Sequence, residues 1–145
     1  MDRGVAVILM AAVGGLIAAQ PVVNAGLGKA TGNIAGALVS FAVGTLLLAG
    51  IVVVAGQAGG VSSALDVRWY YLLGGILGAA YVFTALVTVR TIGAGGVAAA
   101  TITGQLTASI ALDRIGFLGL DEVPLTWDRI AGVVLLLAGT FLIVR

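Results

Sequence analysis

Residues 4–24 read GVAVILMAAVGGLIAAQPVVN, an apolar run without a charged side chain. As a helix, a run of this length crosses the roughly 30 Å hydrocarbon core of a bilayer, which takes about 20 residues at 1.5 Å each. Met1-Asp2-Arg3 in front of it gives it the outline of a signal peptide, but no small-residue cleavage site closes it before Gln20-Pro21. It is read as a retained first span. Four more apolar stretches follow, at 34–55, 69–88, 96–112 and 126–144, the last alone carrying charges, Asp128 and Arg129 near its start. The sequence therefore predicts an all-α, polytopic membrane protein, a single transmembrane domain over 1–145 with five spans.

Composition excludes the alternatives. Hydrophobic residues make up 61% of the chain, charged residues 9%, and mean hydropathy is +1.21, whereas an average soluble domain is about 25% charged. So little charge cannot cover a soluble core, and nothing here would hold a nucleic acid. Cysteine and histidine are both absent, which removes disulfides, imidazole proton relays and the usual soft-metal ligands. No metal, cofactor or enzymatic activity is expected; the lipid bilayer is the chain's solvent.

Short breaks separate the spans and carry turn residues: Gly26, Gly28, Lys29 and Gly32; Gly59 through Arg68; Arg90, Gly93, Gly95 and Gly96; and Asp113 through Pro124. Trp69-Tyr70-Tyr71 and Trp127 stand at helix starts, where amphipathic rings favour the headgroup level. Five spans put Arg3, Arg68, Arg114 and Arg129 on one side of the membrane and Lys29, Arg90 and Arg145 on the other. Orientation follows excess Lys and Arg in short loops, and this split supplies almost none. The chain is expected to insert both ways, so that two copies pair as an antiparallel homodimer with the inverted repeat of many alternating-access transporters.

Small residues mark the packing faces. Gly32, Gly36, Ser40 and Gly44 recur every fourth position in the second span, Gly96, Ala100, Gly104 and Ala108 in the fourth, and Gly74 and Gly78 begin the same pattern in the third. Such rows let helix backbones approach closely in lipid, where van der Waals contact drives association. In the fifth span Gly132 and Gly139 stand seven apart beside Ala131 and Ala138. That spacing suits the dimer interface.

Polar residues at membrane depth cost free energy unless paired or wetted. Gln20 and Asn24 lie one turn apart on the first helix around Pro21, which removes a backbone donor and favours a local distortion. Tyr81, Thr84, Thr88 and Thr91 form a stripe on the third helix, and Thr101, Gln105 and Ser109 form one on the fourth. Isolated hydroxyls can bond back to their own helix; carboxamides do so less easily. Gln20, Asn24, Tyr81, Thr84, Thr101 and Gln105 are accordingly the candidate substrate-binding residues. No acid lies at the centre of a span. Asp113, joined to Arg114, reads as an interfacial ion pair and is the one candidate for ion coupling.

The Gln20-Pro-Val-Val-Asn24-Ala-Gly-Leu-Gly-Lys29 element, Ser40-Phe41-Ala-Val-Gly44-Thr45, Gly74-Gly75-Ile-Leu-Gly78, and Thr103-Gly104-Gln105-Leu followed by Asp113-Arg-Ile-Gly116 resemble the YdcZ-type small membrane proteins of the drug/metabolite transporter superfamily. The resemblance covers essentially the whole chain. It implies a bacterial inner-membrane protein with five helices per unit, found as dual-topology chains, opposed pairs or fused ten-helix proteins, without implying a substrate. Small multidrug resistance transporters share the logic but have four helices and a first-helix glutamate, where this chain offers Gln20. Proton-coupled export of lipophilic cations is correspondingly less expected than export of another small metabolite or drug-like molecule. A dual-topology ion channel and a non-transporting assembly or regulatory subunit are the alternatives.

Overall fold

The computed structural model describes residues 2–116, 118 and 121–145, and the described residues form helices and no strand. The helices are α1 (Arg3–Thr31), α2 (Asn33–Val54), α3 (Ala58–Ser62), α4 (Leu73–Ile115) and α5 (Trp127–Val144), with single 3₁₀ turns at Ser63–Leu65 and Trp69–Leu72. Of these, α1, α2, α5 and the stretch Trp69–Ile115 are long and apolar enough to cross a membrane.

Two boundaries differ from those expected. The first helix continues past Asn24 to Thr31, taking in Gly26, Gly28 and Lys29, and it runs through Pro21, which is buried. At 29 residues it is about 44 Å long, so its last turns rise beyond the hydrocarbon core with Lys29. The expected break over Arg90 to Gly96 contracts to one residue. α4 has 43 residues and a single non-helical position, Gly93, at φ 70° and ψ 171°. Its length, about 65 Å, is more than twice the core thickness, and the interruption divides it into two helical segments, referred to as span 73–92 and span 94–115. Only glycine adopts that φ without steric cost.

Residues 19–90 form one compact unit. In it the buried face of α1 is Pro21, Asn24, Ala25 and Gly28, at the three- and four-residue spacing of one helical stripe. Val82, Ala85, Leu86 and Val89 form the buried stripe of span 73–92, with Leu86 at 0% exposure. α1 turns into α2 through Gly32, at φ 89° and ψ 149°. The tightness of this turn brings Gly36 against Gly28. A Cβ on Gly36 would stand 2.9 Å from the Gly28 Cα, so this part of the glycine row is used for backbone contact. At the other end Trp69 meets Tyr70 edge-on and Tyr70 meets Tyr71 at a tilt, and Arg68 donates from Nη1 to the Tyr70 hydroxyl at 2.9 Å, forming an interfacial belt.

Residues 1–18 and 91–145 form the second unit. Span 94–115 and α5 lie antiparallel in it, as three contacts at successive levels require. A Cβ on Gly96 would come 3.4 Å from Val144 Cγ2, the Thr103 and Thr140 hydroxyls share a hydrogen bond of 2.6 Å, and Arg129 Nη1 donates to Asp113 Oδ2 at 3.1 Å.

Candidate substrate site

The six predicted site residues divide between the two units. Gln20, Asn24, Tyr81 and Thr84 belong to the first, Thr101 and Gln105 to the second. Gln20, Tyr81 and Thr101 are half-buried, while Thr84 and Gln105 are exposed on the helix surface. Among the described residues none of the six side chains makes a hydrogen bond. Thr88, on the same stripe as Tyr81 and Thr84, donates instead to the Thr84 carbonyl at 2.8 Å, the back-bonding open to any helical threonine.

Asn24 differs from the other five. It is 4% exposed, and its Nδ2 is a buried amide nitrogen without a partner. An amide in that position costs about 1–3 kcal/mol relative to one that is bonded. Its helix places it there, on the buried face of α1 with Pro21, Ala25 and Gly28.

The sequence did not single out Arg90. Its Nη2 donates to the Ala25 carbonyl at 2.9 Å, and the guanidinium lies over Gly28, where a Cβ would come 3.1 Å from Nη2 and 3.2 Å from Asn33 Oδ1. Glycine at 28 is what admits this approach. A signal was present in the fourfold register of Val82, Leu86 and Arg90 with α1's glycines, but Arg90 had been read only as a charge setting orientation. No acidic residue pairs with it among the described residues.

In the second unit the polar contacts fall on a different face from the predicted one. Thr103 is 6% exposed, and its hydroxyl and that of Thr140, 2.6 Å apart, lie 2.9 Å and 3.1 Å from the Ala99 carbonyl, so that one hydroxyl donates to the carbonyl and the other to its neighbour. Thr103 stands two residues from both Thr101 and Gln105, so the clasp joining the helices lies away from the Thr101–Gln105 stripe. An open groove of about 460 Å³ runs beside it, lined by Ile92, Ala100, Leu137, Thr140, Phe141 and Val144 with Arg145 at its end. It includes none of the six residues.

Asp113 pairs with Arg129 across to α5, rather than with its neighbour Arg114, whose Nη1 faces Glu122 at 3.9 Å. Adjacent helical side chains point in different directions, whereas α5 brings Arg129 alongside. The two groups are 35% and 33% exposed, the depth of an interfacial pair. Gly132 and Gly139 meet nothing within 4 Å of an added Cβ, so close packing within the chain does not account for their small size.

A model of the family described as "Putative inner membrane exporter, YdcZ" matches residues 5–142. The chain belongs to that family. The inner membrane protein YdcZ of Escherichia coli (strain K12) is 31% identical over 90 residues, 62% of this chain and 60% of the relative. The matched region thus spans about three-fifths of the relative's length. No solved structure matches the chain. Family and helices together make this a multi-pass inner-membrane protein.

Proposed function

We propose that the chain is one half of an antiparallel homodimer that exports a small organic molecule, a metabolite or drug-like compound, by alternating access and without enzymatic chemistry. Membership of an inner-membrane exporter family supports transport. The near-even split of the seven basic residues, four to three between the two faces, supports dual insertion. Opposed copies of one chain exchange inward and outward openings when they exchange conformations. Gln20, Asn24, Tyr81, Thr84, Thr101 and Gln105 line the path and orient the substrate, and Gly132 and Gly139 meet the symmetry mate.

The observation that carries the reading is Asn24. A carboxamide nitrogen left unbonded at membrane depth lowers stability, and an occupant with an acceptor removes that cost. The test has two parts. A C-terminal topology reporter should find both orientations; lysines added beside Arg3 or beside Arg145 should lock opposite orientations, each inactive alone and active when co-expressed. Mass spectrometry of medium from expressing and non-expressing cells should reveal at least one exported compound, lost with Asn24→Leu or Gln105→Leu at unchanged expression. A single orientation in wild type, or an identical medium with and without the protein, would overturn the proposal.

A further inference from the structure

Resting on that reading, we infer that Asn24 and Arg90 together recognise an anionic oxygen group, a carboxylate or its equivalent, so that the exported molecule is an organic anion rather than a cation. Asn24 Nδ2 is a buried donor with nothing to bond. Arg90 spends one N–H on Ala25 and has no acidic partner among the described residues. Both act on one face of α1: Asn24 and Gly28 are four residues apart, and the guanidinium covers Gly28. Positions four residues apart are about 6 Å apart along the axis, so donors at these two levels come within reach of one carboxylate, whose oxygens each accept at about 2.9 Å. Bonds to an ionised acceptor are about twice as strong as neutral ones.

The charges nearby have the same sense. Residues 19–90 contain one acid, Asp66, which lies beyond α2 and so one span away, while Lys29 occupies the last turn of α1 beside Asn33. The C-terminal ends of α1 and of span 73–92 each carry about half a negative charge. Two full positive charges, on Lys29 and Arg90, exceed them. Within residues 19–90 a lipophilic cation would find no carboxylate beside Asn24 and Arg90. Gln20, about 6 Å deeper than Asn24 along α1, is placed to meet the body of the molecule.

Ligand-observed saturation-transfer NMR on the full chain in phosphatidylcholine nanodiscs tests this with benzoate, benzamide and benzylammonium, empty nanodiscs serving as the blank. Benzoate should bind, benzamide more weakly and benzylammonium not at all. Arg90→Gln should weaken benzoate roughly tenfold or more, the effect of losing a hydrogen bond to a charged group, and Arg90→Lys should retain part of the binding. Since Arg90→Gln also removes a helix contact, Asn24→Asp is the decisive variant: it keeps shape, and its carboxylate, competing for Arg90, should abolish benzoate binding and reverse the preference for benzoate over benzamide. A misfolded protein would lose benzamide as well, and capping of α1 by Arg90 alone predicts no change of preference. Benzylammonium bound by wild type and lost in Asn24→Leu would overturn the anion while leaving the transporter site in place. Benzoate bound equally by every variant, or no benzoate binding, would remove both residues from anion recognition. Nanodiscs doped with phosphatidylglycerol separate the sources: unchanged benzoate binding supports a soluble substrate, and displacement assigns the same donors to a lipid headgroup and overturns the substrate.

Discussion

Substituting Gly36 by alanine tests whether the α1–α2 turn is held by backbone contact. The added Cβ would lie 2.9 Å from the Gly28 Cα, 3.0 Å from the Gly28 nitrogen and 3.4 Å from Thr31 Oγ1. The nearest obstacles are main chain, so a rotamer change cannot relieve them and α1 and α2 must separate. Overpacking of this kind costs about 1–3 kcal/mol. Replacing glycine inside a helix also gains up to about 1 kcal/mol of helix propensity, so the raw effect of Gly36→Ala understates the clash. Gly44→Ala supplies the correction: it lies in the same helix two rows on, with nothing within 4 Å of its added Cβ. Thermal unfolding in detergent should place Gly36→Ala about 1–3 kcal/mol below Gly44→Ala. Equal stabilities would mean that Gly28 and Gly36 do not touch in the membrane, and the packing argument for this unit would fall with them.

Gly132→Leu and Gly139→Leu should leave the chain folded, because neither side chain meets anything in it, yet abolish pairing on size exclusion or cross-linking; a dimer surviving both substitutions would place the mate elsewhere. Asp113→Asn breaks the pair with Arg129, which is about a third exposed on each side, and should cost less than about 1 kcal/mol while the pH profile of export stays as in wild type. A flattened profile at unchanged stability would return Asp113 to the coupling role.

The all-helical, membrane-crossing character was legible because hydropathy and charge vary on the scale of a whole membrane crossing, as in 4–24. Helix ends were less so. Gly26 and Gly28 looked like turn residues but are helical, since in lipid a glycine contributes close packing and the helix keeps its own hydrogen bonds. The same ambiguity spread the break before the fourth span over Arg90 to Gly96, when Gly93 alone carries it. Within the site, Asn24 was legible from chemistry, a carboxamide in an apolar run. Arg90 and the Thr103–Thr140 clasp were not, because a side chain's partner on another helix leaves no trace in local periodicity. Asp113 shows the same limit: sequence proximity suggested Arg114, and tertiary packing supplies Arg129.

The division of the chain has a consequence for synthesis. The unit of residues 19–90 is one continuous segment, whereas the other needs both residues 1–18 and 91–145. As the chain leaves the ribosome, contiguous regions assemble in order of emergence, so Leu86 can reach Gly28 before α5 exists. Thr103 must wait for Thr140, near the last turn of the last helix. The first half of α1 is thus inserted earliest and completes its unit latest, and for that interval its apolar surface is covered by lipid alone. A nonsense product ending near Arg90 would retain the segment that packs the buried Asn24 and lack every residue of the Thr103–Thr140 clasp, which makes damage at the 3′ end of the gene a matter of assembly before it is one of substrate.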